Sequence, residues 1–348
     1  NKATSFDEFY SILEINEIPG YNIGYADKDD NIFYISNGLI PIRNNKFKWT
    51  GVLPGNTSET LWTDYYNTRE LPQVLNPDSG YIYNANHSPF KSTSIDENPN
   101  PQNYASNMGF ETFDNNRSTR IFELVESYES IDYEDFKKIK YDNKFPIPFN
   151  YNFMDVNNIM EMKPNDYPEI ADLIKQIQNW DRSTDIGSTG AGAYAMFYYT
   201  LADKYFYKSY YDRNFSKSLI AECLVEAKKR MKKYFNSTLI KLGDFQKLVR
   251  GEIEMPIFGM PDVITAMNAS KYKDGKVQVT HGESYIQLVK FSSNGTEIES
   301  IISYGSSDNE ESPHYNDQMD KYSKFQTKKM SFDRVWVLKN SKRVYNPK

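Results

Sequence analysis

The spacing of hydrophobic positions changes several times along this chain, and each change marks an element. Phe6, Phe9, Ile12 and Leu13 recur at helical spacing and predict a short helix over 5–15. Ile18-Pro19-Gly20 reads as a turn. Ile23 and Tyr25, then Ile32 and Tyr34, alternate around the polar run Asp27-Lys28-Asp29-Asp30-Asn31, which predicts a β-hairpin over 21–36. Residues 37–78 are rich in Pro, Gly and Asn and predict a long loop docked on a surface. Strand character returns over 79–85 with Tyr81, Ile82 and Tyr83, and 91–110 is again a polar loop. Helices are predicted at about 115–128, 133–140, 167–180, 188–208 and 216–236. In the last, Ile220, Leu224, Ala227, Met231 and Tyr234 form a core-facing stripe. In the fourth, Gly190-Ala191-Gly192-Ala193 permits close helix packing. From about 252 the pattern is β: 277–279, 285–291 and 298–304, with Asn294-Gly295 as a hairpin signal.

Runs of helices kept apart from runs of strands predict an α+β fold rather than alternating α/β. Three regions follow: 1–130, a mainly helical block over 131–250, and a β-rich segment over 251–348. A chain of 348 residues is long enough to bury a sizeable core. Its net charge of -6 argues against non-specific nucleic-acid binding, which needs clustered positive charge. No stretch of about 18 apolar residues exists, so no membrane-spanning helix is predicted. The single cysteine, Cys223, excludes an intrachain disulfide and a thiolate metal cluster. The chain opens on Asn1-Lys2-Ala3 without a Met, which gives the expectation of a processed or truncated piece.

Several chemistries lack their residues. The histidines are His87, His281 and His314, and neither HExxH nor CxxC occurs, which disfavours a catalytic zinc site. The absence of Gly-x-Ser-x-Gly disfavours an α/β-hydrolase. Gly187-Ser188-Thr189-Gly190-Ala191-Gly192 lacks the Lys of a phosphate loop and reads as helix packing. His281 lies beside Gly282-Glu283-Ser284, but neighbouring strand residues point to opposite faces, so a structural role is expected. The segment Gly80-Tyr81-Ile82-Tyr83-Asn84-Ala85-Asn86-His87-Ser88-Pro89 runs a predicted strand into two asparagines and a proline stop. Composition alone reads it as a capped turn with Asn84 and Asn86 on one side. An Asn N–H aimed at a substrate carbonyl is also a good oxyanion donor.

That segment resembles the G-Y-I-x-N-x-N-N-x-P block of penicillin acylases and acyl-homoserine-lactone acylases. Other blocks of the family appear in order. Tyr25-Ala26-Asp27, Asn31-Ile32, Tyr34, Gly38 and Pro41-Ile42-Arg43 resemble one stretch, with Asp30 where the pattern has Gly. Trp62, Leu71-Pro72 and Asn76-Pro77 resemble the lead into the Asn block, and Arg120-Ile121-Phe122-Glu123-Leu124 resembles the helix start after it. Gly282-Glu283-Ser284-Tyr285 and Ser312-Pro313-His314-Tyr315 with Asp317-Gln318 resemble the closing blocks.

The resemblance implies an N-terminal-nucleophile hydrolase with an αββα sandwich. This chain would be the C-terminal part of its large (β) subunit, carrying an inserted helical block. In such enzymes a new N-terminal Ser attacks an amide, with its own α-amino group as base. Asn86 then matches the oxyanion-hole Asn, Arg120 the residue that orients it, Arg117 a rival for that task, and Asn84 a supporting Asn. The nucleophile is not expected in this chain, because Asn1 is neither Ser, Thr nor Cys. No cofactor and no metal ligand are expected here; the family's structural calcium has ligands that find no place in this sequence. The implied partners are the missing part of the β subunit, the α subunit and a small amide substrate, in the periplasm. The competing expectation is a catalytically inactive acylase homologue acting as a binding or scaffold protein.

Overall fold

In a computed structural model the chain is described over residues 2–17, 20–149, 156–205 and 214–346. The turn expected at Ile18-Pro19 and the last residues of the helix expected over 188–208 lie outside the described residues. The chain divides into two compact units, Asn1–Ser118 and Thr119–Lys348.

In the first unit, helix α1 (Phe6–Leu13) is capped by Ser5, whose hydroxyl accepts from the Glu8 N–H at 3.2 Å. Its apolar face is Phe6, Phe9, Tyr10 and Leu13; Ile12, expected there, is exposed and Tyr10 takes its place. The spacing three, one, three is what a straight helix needs to lay one stripe on a sheet. Strands β1 (Tyr21–Ala26) and β2 (Ile32–Asn37) form the expected antiparallel hairpin, with Tyr21 opposite Asn37. Phe9 stacks on Tyr25 with centroids 4.6 Å apart, and Phe6 meets the Phe33 edge at 5.1 Å. Strand β3 (Gln73–Leu75) joins the free edge of β2, so the far end of the long loop is fixed by main-chain pairing. Its middle is held by Arg43, which donates to the Met108 carbonyl at 2.7 Å and lies near the rings of Trp49 and Trp62, 5.9 and 5.8 Å from their centroids.

The β1–β2 turn is organised by the Asp27 carboxylate, which accepts from the N–H groups of Asp29 (2.9 Å) and Asn31 (3.0 Å). Asp30 is left-handed there, with φ +64°. That conformation is free for glycine and still carries some strain for Asp, though less than for most other L-residues. Asp30→Gly is therefore expected to stabilise the hairpin by about 0.5 kcal/mol, the strain relieved exceeding glycine's larger unfolded entropy. A higher urea midpoint at unchanged slope is the outcome to look for; a lower midpoint would contradict this.

Helix α2 (Asn116–Val125) runs across the boundary between the units. The second unit continues with α3 (Tyr133–Lys140), α4 (Ala171–Gln178), α5 (Thr189–Tyr205), α6 (Lys217–Phe235) and α7 (Leu242–Phe245). Helix α5 is the centre of this unit's larger core: Ala191 through Phe197 are all buried, on every side of the helix. From α6, Ile220, Cys223, Leu224, Ala227 and Met231 pack into the same core, whereas Tyr234 stays at the rim, 45% exposed. The small-residue run does allow close approach. A Cβ on Gly192 would lie 2.0 Å from the Ile240 carbonyl oxygen.

The strands follow in two sheets. β4 (Gln246–Arg250), β5 (Ile253–Pro256), β6 (Met267–Lys271) and β7 (Val277–Gly282) give the order β5-β4-β7-β6, with β4 and β7 parallel. β8 (Tyr285–Ser292), β9 (Gly295–Ile302) and β10 (Lys328–Met330) form the second, entirely antiparallel sheet. The β8–β9 turn is centred on Ser293-Asn294, one residue before the Asn-Gly signal, with Gly295 at φ +110°. Short helices α8 (Met319–Ser323) and α9 (Arg334–Asn340) close the chain. The architecture is α+β. Among the described residues no helix is long and apolar enough to cross a membrane.

The strand expected over 79–85 is not formed. Its polar groups face a neighbouring loop instead of a sheet. Tyr83 N–H donates to the Ser92 carbonyl at 2.8 Å, and the Thr93 hydroxyl donates to the Tyr81 carbonyl at 2.8 Å.

Candidate functional site

Asn86 occupies the turn that ends this extended run, in a left-handed conformation at φ +59° that only Gly, Asn and Asp visit readily. This breaks the strand alternation that would have put Asn84 and Asn86 on one side. Instead the two are linked directly: the Asn86 N–H donates to Asn84 Oδ1 at 2.9 Å, an Asx turn. The Asn84 Nδ2 sits 3.5 Å from both the Tyr34 hydroxyl and the His87 carbonyl.

The residues beside Asn86 are buried while Asn86 itself is exposed. His87 is wholly buried, and its ring stacks on Tyr83 with centroids 4.9 Å apart. The Ala85 N–H donates to His87 Nδ1 at 3.1 Å, and His87 Nε2 lies 2.8 Å from the Lys91 carbonyl oxygen. A donor at one nitrogen and an acceptor at the other fix the neutral Nε2–H tautomer. Burial, partly offset by the Lys91 carbonyl and Asp114, holds the imidazole below its ordinary range, so the ring is neutral where that tautomer is needed.

The other side of the turn is held by the start of α2. Asn115 caps that helix: its Oδ1 accepts from Ser118 N–H at 2.9 Å, and the Ser118 hydroxyl accepts from Asn115 N–H at 3.0 Å. The Asn115 Nδ2 donates to the carbonyls of Ala85 (2.8 Å) and Asn86 (3.2 Å). One buried carboxamide therefore starts a helix and clasps the loop that precedes Asn86. The Asn115-x-x-Ser118 spacing could have signalled a helix cap; its second task leaves no sequence signal, because it joins residues about 30 apart. Asn115 is the residue holding this turn that sequence reading missed.

Arg117, in the first turn of α2, donates from Nη1 to Asn86 Oδ1 at 3.2 Å. A cation there opposes the helix macrodipole by about 0.3–1 kcal/mol, so helix stability is a poor reason for it. Arg120 is engaged elsewhere: its Nε and Nη2 donate to Asp142 at 3.0 and 2.9 Å, and Nη1 donates to Glu123 at 3.2 Å. Of the two arginines, the one joined to Asn86 is Arg117. Oδ1 is taken by the Arg117 guanidinium, Asn86 is exposed, and no hydrogen bond from Nδ2 is formed among the described residues.

The remaining motif residues are engaged in contacts of their own. Glu283 pairs with Lys140 and accepts from the Tyr322 hydroxyl at 2.9 Å. His281 is exposed, with Nδ1 2.9 Å from the Thr280 hydroxyl. His314 Nδ1 meets Asp317 at 2.8 Å, Arg250 lies over the Tyr315 ring at 4.1 Å, and Gln318 Oε1 accepts from Ile302 N–H at 3.1 Å. Cys223 is buried, which pushes its thiol up to about 11, far from a reactive thiolate. Among the described residues no group of three or more His, Cys, Asp or Glu is placed to hold a metal ion.

An α+β protein that presents one clamped carboxamide from a clipped turn is the class defined so far. The penicillin amidase family matches residues 1–337, and the chain belongs to that family. Two acyl-homoserine lactone acylases, PvdQ, resemble part of it. The protein from Pseudomonas syringae pv. syringae (strain B728a) is 35% identical over 95 residues, 26% of this chain and 12% of that protein. The one from Pseudomonas fluorescens (strain Pf0-1) is 31% identical over 93 residues, again 26% of this chain and 12% of that protein. The matched stretch thus spans about an eighth of these relatives' length. The thermostable penicillin G acylase from Alcaligenes faecalis superposes on all of this chain and 71% of its own, with a TM-score of 0.55 and 15% identity. That likeness is one of fold.

Proposed function

We propose that this chain forms part of an acylase that hydrolyses a linear N-acyl amide, with Asn86 donating an Nδ2–H to the tetrahedral oxyanion. The observation that carries the reading is the exposed Asn86, its carboxamide anchored through Oδ1 by Arg117 at 3.2 Å, which leaves its Nδ2–H groups for a ligand. The nucleophile is a serine at the N-terminus of the large subunit, from polypeptide beyond this sequence, its α-amino group acting as base. Attack of the serine oxygen on the acyl carbonyl places a full negative charge on one oxygen. The Asn86 donor meets that charge, the amine departs, and water releases the acid from the acyl-enzyme. No cofactor enters these steps, and any structural calcium would belong with the remaining polypeptide. The acyl-homoserine lactones acted on by the relatives, and penicillins, are the first substrates to consider. The protein would act in the periplasm after self-cleavage, completed by the rest of its β subunit and by an α subunit.

The test uses the full-length gene product, purified from its host. It is offered acyl-homoserine lactones and penicillin G, and release of free amine is followed. Turnover of either class, with mass spectrometry showing a Ser-initiated large subunit, is the expected result. A correctly processed, folded protein that releases no amine from any of them would sink the reading and favour an inactive binding homologue.

A further inference from the structure

We propose that His87 is a positioning residue: its neutral imidazole clips the turn that presents Asn86, and its protonation withdraws the Asn86 donor at acidic pH. The inference rests on the reading of Asn86 as the oxyanion donor. It concerns a residue in which this chain departs from the family block, where the corresponding position is Asn.

The geometry leaves the ring one useful state. Nδ1 accepts from the N–H of Ala85, immediately before Asn86, at 3.1 Å. Nε2 donates to the Lys91 carbonyl across the loop, at 2.8 Å. The ring is fully buried and stacked on Tyr83, so it has no room to swing out. Adding a proton to Nδ1 sets two N–H groups against each other at a hydrogen-bond distance. Turning the ring over gives no relief, because both nitrogens of an imidazolium are donors. The clash falls on the Ala85 N–H. Asn86 lies between that group and the ring's own backbone, and the Ala85 and Asn86 carbonyls are both held by Asn115. The turn therefore has to shift, and the Asn86 side chain moves with it.

The charges that face the ring come from its own loop and from the start of α2. Lys91 and Arg117 oppose a second positive charge, whereas Asp114 favours it; Asp114 is itself paired with Lys91. Burial is the largest influence and disfavours the cation. The sign follows. The ring titrates below the ordinary imidazole value of about 6.5 and is neutral at and above neutral pH. The clip is intact there and is lost as pH falls through the folded-state value.

The measurement is made on the full-length protein carrying ¹⁵N in histidine rings and asparagine carboxamides. His87→Asn and Asn86→Asp identify the two signals. The expected result is an Nε2–H tautomer for His87 at neutral pH, with the Asn86 carboxamide resonance shifting at the same midpoint as the ring. An Nδ1–H tautomer, or an Asn86 signal unmoved through the ring's titration, would overturn the proposal without reference to turnover. In the rate assay, the base amine alone gives an acidic limb of about tenfold per pH unit, and loss of the clip steepens it to about a hundredfold. His87→Asn removes the titrating ring and returns the limb to about tenfold per pH unit, whatever the rate at neutral pH; an unchanged profile in that variant also overturns the proposal. If the Asn86 signal follows the ring but the protein hydrolyses no amide, the clip stands and the acylase reading is what fails.

Discussion

Asn86→Gly in the full-length protein is expected to lower kcat by about 10²–10³-fold and to leave the unfolding curve almost unchanged. Glycine is the right replacement because Asn86 is left-handed, at φ +59°. Alanine there would add about 1 kcal/mol of strain and blur a loss of donor with a loss of fold. The side chain is exposed and accepts a hydrogen bond from Arg117, so removal opens no cavity. The lost rate is then the worth of one N–H at a developing negative charge. Arg117→Ala is expected to cost less, about tenfold, since the carboxamide remains but is no longer held at Oδ1. Arg120→Ala is expected to spare kcat and instead cost about 1–2 kcal/mol of stability, through the two-pronged pair with Asp142. A kcat for Asn86→Gly within a few fold of the parent would remove the proposed donor from the reaction.

The second large effect is on stability. Gly192→Ala is expected to destabilise the protein by about 3 kcal/mol, lowering Tm by roughly 5 °C, although alanine is the better helix former. Propensity favours the change by about 1 kcal/mol. Against this, the new Cβ would stand 2.0 Å from the Ile240 carbonyl oxygen and 2.9 Å from its carbon. Those are backbone atoms, so no rotamer change relieves the clash. The 240–243 segment is also pinned to the start of α5, by Leu242 N–H to the Ser188 carbonyl (3.0 Å) and Gly243 N–H to the Ile186 carbonyl (2.8 Å). Gly190→Ala meets the Trp180 side chain at 2.6 Å and is expected to cost less, since a ring can tilt. Gly187→Ala meets nothing within 4 Å and serves as the control. Calorimetry on the three variants should rank them 192, 190, 187 in decreasing loss. A stable Gly192→Ala protein would mean that α5 is not held against this segment.

Much of this architecture was legible because local signals agreed with the tertiary result. α3 begins after Asp132, whose carboxylate accepts from Asp135 N–H at 2.8 Å, and α6 after Ser216, whose hydroxyl accepts from Leu219 N–H at 3.4 Å. The stripes inside those helices did the rest. The failures have physical causes. Residues 79–85 carry strand-forming side chains, yet their main-chain partners sit in a loop and not in a strand. β4, β5 and β6 are four or five residues long, too short for alternation to show. In α1, Ile12 and Tyr10 compete for one face, and only the sheet beneath decides between them. At the candidate site the asparagines were legible as a block, but the arginine was not. Arg117 and Arg120 stand about one helical turn apart, so spacing could not rank them. Asn115 escaped notice because a cap is common and its long-range clasp leaves no pattern.

The grip on Oδ1 has a consequence for selectivity. A primary carboxamide carries opposite polarities on its two arms, and half a rotation about its last bond would present lone pairs to an incoming anion. The guanidinium 3.2 Å from Oδ1 makes that rotation unfavourable. The dipole is thus preorganised before any ligand arrives. In the proposed reaction a planar carbonyl and a charged tetrahedral oxygen would meet the same fixed N–H, and the charged one would gain more from it. Fixing the rotation raises discrimination between the two without adding a single contact to either.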